Sequence, residues 1–231
     1  MYNFISNNKH LIVFGRQVFF LFLGGILSFE DMKDEAFSGA KESIVKMADQ
    51  AEDRWTGLVG KVSGEGVTKV KHGDQYTRNG RIKVLKPNVE YTSKEGYNYK
   101  TDSKGRIYSA EGTLKLGDGK RNNYAQKVVG REHRKRDDEG GHLIASIFKG
   151  SGNLDNLVPM NGNLNKGEWK KLENTWADAI KQGDEVKVKI TPNYNGNSQR
   201  PESFNIKYKI GDEEWEIRRF DNVPGGRKLD E

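Results

Sequence analysis

The sequence predicts an α+β domain in its C-terminal two-thirds, with antiparallel strands flanking one amphipathic helix. Short runs of alternating polar and apolar residues, separated by turn residues, occur both before and after this helix. The helix itself is indicated by apolar side chains that repeat every three or four positions after residue 168. We expect a helical and flexible segment to precede this domain.

Residues 1–28 form an apolar leader whose role the sequence leaves open. The run from Val18 to Leu27 has ten residues, too few to span a bilayer. That length suits the core of a signal peptide, yet the region before it is weakly basic and shows no clear cleavage site. A misassigned start, an irregular hydrophobic anchor and a gene interrupted upstream of the domain are the alternatives.

Residues 29–80 are predicted to be a helix followed by a flexible linker. Apolar residues from Met32 to Ala51 recur at helical spacing. Residues 57–80 are rich in Gly, Lys and Thr, which is typical of a connector. The folded domain is therefore expected over residues 81–231.

Within this domain, residues 81–116 predict two or three strands separated by the turns KEG and DSKGR. A basic stretch follows at 117–136, and a loop rich in Asn and Gly lies at 148–167. The helix after this loop should end at Gly183. Its apolar face comprises Trp169, Leu172, Trp176 and Ile180. The remaining strands are expected at 185–190, 203–210 and 213–220.

The composition excludes several kinds of site. The chain contains no cysteine, which excludes disulfides, zinc–thiolate sites and thiol nucleophiles. No His-Glu-x-x-His sequence occurs, so a zinc protease of that class is not indicated. The net charge of +6 suits a polyanionic partner such as nucleic acid, although charge alone does not identify one.

The stretch DDEGGHLIAS, residues 137–146, is the first indication of catalysis. Of the four histidines, only His142 follows a pair of glycines and precedes an apolar, strand-like run. Gly140 and Gly141 lack Cβ atoms and so permit the close approach of a backbone or a ligand. Because a neutral imidazole accepts a proton near pH 7, His142 is a candidate general base. The alternative is a structural histidine that bonds its own loop.

A second group of polar residues lies in the loop and helix that follow. Four asparagines crowd this loop, and turn or cap formation would explain three of them. They are Asn156, Asn161, Asn163 and Asn165. An amide oxygen suits Mg²⁺, which takes few protein ligands and keeps several waters. Glu173 lies eight residues beyond Asn165, about 12 Å along a helix, so it would act on the same ion only through a bound water. The alternative for Glu173 is a solvated carboxylate.

Three stretches together resemble the ββα-metal (His-Me finger) nucleases of the DNA/RNA non-specific endonuclease family. They are DDEGGHLIAS, NLDNLVPMNGNLNKGEWKKLE and NSQRPESFNIKYKI. The similarity covers roughly residues 90–220 and is closest to the branch that supplies nuclease domains of type VII-secreted antibacterial toxins. It implies antiparallel strands and a catalytic helix around one Mg²⁺ ion, with Mn²⁺ as an alternative ion.

The resemblance implies a role for each matching residue. His142 corresponds to the general base, Asn165 to the metal ligand and Glu173 to the carboxylate that holds a metal-bound water. Asn156 corresponds to an asparagine that supports the active site.

Arginines that stabilise the transition state must come from new positions, because Gly140 and Ala177 stand where the family often has arginine. The resemblance favours Arg131 and Arg200. The basic residues expected to contact nucleic acid are Arg131, Arg134, Lys135, Arg136 and Arg200.

The resemblance also implies metal-dependent hydrolysis of phosphodiester bonds in DNA, or in RNA, with little sequence preference. The implied partners are nucleic acid and a cognate immunity protein, without stable membrane association of the nuclease domain. Secretion and action in the cytoplasm of a target bacterium would follow. Because no clear export domain is recognisable, retention in the producing cell is the alternative. A non-catalytic nucleic-acid-binding module and an inactive toxin remnant are the competing interpretations.

Overall fold

The structure is a computed structural model that describes residues 66–227, together with the backbone of four short segments near the N-terminus. These segments are β1 (Tyr2–Ser6), β2 (Lys9–Phe14), β3 (Gln17–Phe22) and β4 (Gly25–Ser28). They pair in chain order as an antiparallel sheet within a separate unit. The helix predicted from Met32 to Ala51 lies outside the described residues. No described helix has the length and apolarity needed to cross a membrane.

The larger unit has many strands and few helices, grouped in separate runs as in the predicted α+β class. The strands are β5 (Thr68–Val70), β6 (Tyr76–Asn79), β7 (Ile82–Leu85), β8 (Val89–Thr92), β9 (Asn98–Thr101), β10 (Ile107–Thr113), β11 (Asp138–His142), β12 (Leu157–Asn161), β13 (Val186–Tyr194), β14 (Pro201–Ile210) and β15 (Glu216–Asp221). The helices are α1 (Asn123–Val128), α2 (Gly162–Lys166) and α3 (Glu168–Gln182), with a 3₁₀ turn at Arg131–His133.

Seven strands form the main sheet, in the order β15-β14-β13-β10-β9-β8-β5. Neighbours are antiparallel except for β5, which pairs in parallel with β8. On β13 the side chains of Val186, Val188 and Ile190 are buried, and the residues between them are more exposed, as the period of a strand with one covered face requires. Strands were predicted in all three segments after the helix, and the structure confirms them.

Helix α3 covers the inner face of the sheet. Its buried Trp169 and Trp176 meet rings of β14 edge to face, with centroids 5.1 Å from Phe204 and 5.5 Å from Tyr208. Such pairs fix the rotation of the helix as well as burying apolar surface. Gly183, in the left-handed region with φ 100°, ends the helix as predicted.

The folded unit begins before residue 81, where the sequence analysis placed its start. Strand β5 belongs to the main sheet, and Gln75 is buried and donates to Asp155 Oδ2 at 2.9 Å. The prediction was wrong here because a parallel pairing between β5 and β8 leaves no local pattern in such a polar stretch.

Residues 76–85 also differ from the predicted connector, because they form the hairpin β6–β7. Its two-residue turn has Gly80 at φ 60°, a conformation that glycine adopts without strain. The basic stretch 117–136 likewise contains structure, namely α1 and the 3₁₀ turn.

Candidate active site

A strand–strand–helix unit positions most of the predicted site residues. Strands β11 and β12 form an antiparallel hairpin in which His142 lies opposite Leu157. Asn161 ends β12 and caps α2, its side chain accepting from the backbone N–H groups of Asn163 and Leu164. Helix α3 follows directly, so the catalytic elements are contiguous in sequence between residues 138 and 182.

The two glycines before His142 make room for the protein itself, the first of the two uses expected for them. A Cβ on Gly140 would lie 2.5 Å from the Cα of Gln126 in α1, and one on Gly141 would lie 2.6 Å from the Cβ of Met160 in β12. Both glycines belong to β11, whereas the apolar run after His142 forms a buried turn rather than the expected strand.

His142 lies half-buried at the end of β11. Its Nε2 is buried, and neither ring nitrogen has a hydrogen-bond partner among the described residues. Burial, and to a lesser degree the positive charge of Arg121, lower the pKa of His142 to about 4. The imidazole is therefore neutral at pH 7 and free to accept a proton. It does not bond its own loop, as a structural histidine would.

Asn156 holds the loop that follows His142. Its Oδ1 accepts from Tyr99 Oη at 3.0 Å and from the N–H of Ile144 at 2.9 Å. Its Nδ2 donates to the carbonyls of Ile144 and Ser151 at 2.8 and 2.7 Å. Because the buried carboxamide is fully bonded within the protein, it supports the site without an atom to offer a substrate.

Asn165 is the asparagine whose oxygen remains available. Its Nδ2 donates to Glu139 Oε2 at 3.1 Å, and its Oδ1 has no hydrogen-bond partner among the described residues. Lys166 also pairs with Glu139. Burial alone would raise the pKa of Glu139, but the hydrogen bonds from Lys166 and Asn165 hold it below its usual value. A carboxylate that accepts from Nδ2 fixes which way the amide points, and so leaves the oxygen outward.

The other asparagines have structural partners, as turn and cap chemistry predicts. Asn161 caps α2, and Asn163 Oδ1 accepts from the N–H of Gly225 at 2.7 Å. The acids beside the glycines are structural as well. Asp137 pairs with Asn161, and neither it nor its acidic neighbours bonds the imidazole.

Glu173 is buried on α3, not a solvated carboxylate. Burial raises its pKa, and the Lys170 ammonium, with its Nζ 3.3 Å from Oε2, opposes that rise. The positive charge of Arg121 opposes it too. Glu173 and His142 therefore both lie within the electrostatic reach of Arg121.

Arg121 is the residue that sequence reasoning missed. It is exposed, it has no ion pair among the described residues, and its charge acts on both His142 and Glu173. Its backbone forms a bridge with Gly152, which brings the basic stretch 117–136 beside the loop that follows His142. The sequence shows many cations between residues 117 and 136, but nothing local indicates which of them faces the histidine.

Arg200 has a different role from the predicted one. Its Nε and Nη2 donate to the two oxygens of Asp138 at 2.7 and 2.8 Å, and Nη2 also donates to the carbonyl of Asn222 at 2.8 Å. The side chains of Arg200 and Asp138 are 8% and 0% exposed. This guanidinium is committed to fastening β11 to β14, so we withdraw it as a phosphate ligand.

The remaining predicted cations divide into two groups. Arg134 donates to the carbonyls of Gln126, Lys127 and Asp138, so it ties α1 to β11 instead of projecting outward. Lys135 and Arg136 are exposed without an ion pair among the described residues. Arg131 lines two cavities, one of them beside α1, and no contact joins it to His142.

The donors present suit a hard cation held by few protein groups. The described residues contain no cluster of three or more His, Cys, Asp or Glu side chains placed to hold a metal. At this site they offer the amide oxygen of Asn165, which has no hydrogen-bond partner among the described residues, with the carboxylate of Glu139 beside it. Mg²⁺ commonly keeps most of its water shell and takes such a ligand set, so the residues fit that ion.

Comparison with known proteins agrees with this geometry. Residues 87–212 match the family described as DNA/RNA non-specific endonuclease. The chain is 46% identical over 168 residues to the type VII secretion system protein EssD of Staphylococcus aureus strain USA300. That match covers 70% of this chain and 27% of EssD, so the chain spans about a quarter of the length of this relative.

Three further proteins are more distantly similar. A probable deoxyribonuclease, RhsA of Dickeya dadantii, is 26% identical over 100 residues, which is 42% of this chain and 7% of RhsA. The crystal structure of NucA from Streptococcus agalactiae with magnesium bound has a TM-score of 0.47 at 17% identity, covering 67% of this chain and 85% of NucA. Sda1 nuclease with zinc bound has the same TM-score and identity, covering 64% and 80%.

Proposed function

Because the chain belongs to the DNA/RNA non-specific endonuclease family, we propose that it hydrolyses phosphodiester bonds with His142 as general base and Asn165 as the protein ligand of a divalent ion. The observation that carries the assignment is the unbonded imidazole of His142. A half-buried ring without a hydrogen-bond partner, at a strand end beside an unpaired arginine, has no structural task that accounts for it.

His142 prepares the attacking water. With its proton on the buried Nε2, the ring leaves Nδ1 to accept a proton from that water. Its low pKa keeps the ring neutral between substrate encounters. A bound phosphodiester is negative and offsets the charge of Arg121, which raises the basicity of His142 when substrate is present.

Arg121 and Glu173 complete the site. Arg121, exposed and unpaired, stabilises the charge that builds on the non-bridging phosphoryl oxygens. Glu173 would orient a water of a bound ion, and Glu139 holds the amide of Asn165 so that Oδ1 would be free to bind that ion. The bound ion, which we propose is Mg²⁺ with Mn²⁺ as a substitute, supplies charge stabilisation to the phosphoryl and leaving oxygens.

Substrate recognition is proposed to run through the sugar–phosphate backbone. Exposed, unpaired cations such as Lys135 and Arg136 bind phosphates without reading bases, which gives little sequence preference. DNA is the proposed substrate, and the same contacts permit RNA. The net charge of +6 supports an electrostatic mode of binding.

The chain is proposed to be the nuclease module of a secreted antibacterial toxin, which the resemblance to toxin nuclease domains implies and the 46% identity to a type VII secretion system protein supports. We propose that it acts in the cytoplasm of a target bacterium. A cell that makes such an enzyme needs an inhibitor, so a cognate immunity protein with an acidic surface is the proposed protein partner.

Plasmid cleavage by the purified chain tests the activity. We expect nicking with Mg²⁺ and none with EDTA, and a loss of about 10²- to 10⁴-fold in rate for His142→Ala. His133→Ala is the matched control, since His133 lies in the 3₁₀ turn and is expected to leave the rate unchanged. Equal cleavage by His142→Ala and the wild type would remove His142 as the base.

A further inference from the structure

A second cavity of about 320 Å³ lies between the hairpin β6–β7 and helix α1. Its lining includes four cations and, within the described part of the chain that forms it, no Asp or Glu. The cations are Arg78, Arg81, Lys83 and Arg131. We call this space the basic cavity. The hairpin lies outside the residues that match the endonuclease family, 87–212.

The cations of the basic cavity lack acidic partners. None of the four has an ion pair among the residues that the structure describes. Lys83 places its Nζ 3.6 Å from the ring centroid of Tyr76, a cation–π contact that leaves its charge uncompensated. The nearby carboxylate of Asp155 is buried and already accepts hydrogen bonds from Gln75 and Ser151.

The register of the hairpin places like charges together. Arg78 lies directly opposite Lys83, so the two side chains share one face at cross-strand distance. Like charges in this position destabilise a hairpin. An anion bound between the two side chains would turn this repulsion into attraction. The pair is therefore what an anion-binding site would require.

An adjoining cavity of about 310 Å³, which also touches the hairpin, has a different lining. Its lining contains the carboxylate of Glu132. Its Arg106 is paired with Asp102, with Nη2 2.6 Å from Oδ2. The adjoining cavity shares Lys83 and Arg131 with the basic cavity, whereas Arg78 and Arg81 line the basic cavity alone, which has no carboxylate in its lining among the described residues.

The basic cavity adjoins the candidate active site. Asn122, which lines it, directly follows Arg121, the arginine whose charge acts on His142. Its floor includes Ala125 and Leu154, which pack with Leu157, the residue opposite His142 in the β11–β12 hairpin. A nucleic-acid strand that passes Arg121 would therefore run beside the basic cavity.

Tyr124 adds an aromatic surface to the same cavity. Its side chain is 69% exposed, the most exposed of the large hydrophobic residues in the described part of the chain. An exposed ring next to phosphate-binding cations is the combination by which proteins hold single-stranded nucleic acid.

We propose that the basic cavity is a nucleotide subsite, in which Arg78 and Lys83 bind a backbone phosphate next to the scissile one and Tyr124 stacks on its base. The subsite deepens the proposed nuclease function and rests on it. The hairpin β6–β7, which lies outside the residues that match the family, would then take part in binding the substrate.

DNA binding by the full chain tests the subsite. In a His142→Ala background, which prevents cleavage, Arg78→Gln/Lys83→Gln removes the contact to one phosphate and should reduce the magnitude of the slope of log K against log salt by about 0.9 for duplex and about 0.7 for single-stranded DNA. Tyr124→Ala should weaken binding of single-stranded DNA about tenfold, and Tyr124→Phe should not.

The matched control is Lys94→Gln/Arg219→Gln, which removes the same charge from exposed, unpaired cations elsewhere on the unit. If this control lowers the slope as much as the hairpin variant does, the effect is general electrostatics and the subsite is wrong. If the hairpin variant binds DNA normally but loses affinity for an acidic protein, the cavity serves a protein partner and the nucleotide assignment is wrong.

Cleavage with His142 restored separates the subsite from the proposed function. The hairpin variant should raise KM for DNA with little change in kcat, and should cut the small diester bis(p-nitrophenyl) phosphate like the wild type. A wild type that cuts nothing would refute the nuclease proposal alone. A wild type that cuts, with a hairpin variant indistinguishable from it on DNA, would refute the subsite alone.

Discussion

Replacing Arg200 by methionine should destabilise the protein strongly, because the change leaves the Asp138 carboxylate buried without its cation. Arg200 makes two hydrogen bonds to that carboxylate, at 2.7 and 2.8 Å, and Asp138 has no exposed side-chain surface. Removing one partner of such a pair costs about 3–5 kcal/mol, a large fraction of the roughly 5–15 kcal/mol that stabilises a typical domain.

Urea denaturation measures this loss, with the fluorescence of the buried Trp169 and Trp176 as the signal. The double variant Asp138→Asn/Arg200→Met removes both charges and keeps an acceptor for the N–H of Lys135, which now bonds Asp138 Oδ2. We expect it to recover about 2 kcal/mol or more relative to Arg200→Met. An Arg200→Met protein that unfolds within about 1 kcal/mol of the wild type, yet cleaves DNA a thousandfold more slowly, would refute the structural role and return Arg200 to the phosphate.

Three further outcomes are expected. The kcat/KM of the wild type should rise with pH through about 4 and then level off, since His142 acts when deprotonated. Arg121→Gln should move that rise to higher pH, because the positive charge of Arg121 helps to lower the pKa of His142. A profile that Arg121→Gln leaves unchanged would show that Arg121 does not act on His142. Glu139→Gln should raise the Mg²⁺ concentration for half-maximal activity by about 10- to 100-fold, because glutamine no longer dictates the direction of the Asn165 amide; an unchanged Mg²⁺ titration would contradict this. Gly140→Ala should lower the free energy of unfolding, measured in urea, by about 1–3 kcal/mol, since its Cβ would lie 2.5 Å from the backbone of α1. A stability equal to that of the wild type would show that α1 can shift to accommodate the methyl group.

Local patterns predicted the elements that local patterns control. The aromatic stripe and Gly183 defined α3, and turn chemistry predicted structural uses for three of the four loop asparagines. The choice of His142 as the candidate base also followed from the sequence, because it lies in a motif that resembles that of the nuclease family.

The failures concern partners that lie far apart in the chain. Arg200 and Asp138 are separated by 62 positions, and no periodicity links them. The same holds for Arg121, whose significance comes from its position beside His142 and Glu173. The purpose of Gly140 and Gly141 depended on neighbours in α1 and β12 that only the fold supplies.

The parallel strand β5 also bears on how this enzyme can be dissected. It covers the open edge of β8, whose Val89 and Tyr91 are 4% and 1% exposed. A fragment cut at residue 87, the first position of the family match, would bare a row of backbone donors and acceptors that recruits other chains. Such a fragment should precipitate where one beginning at residue 65 stays in solution. The segment that matches the family is therefore shorter than the segment needed for a stable fold.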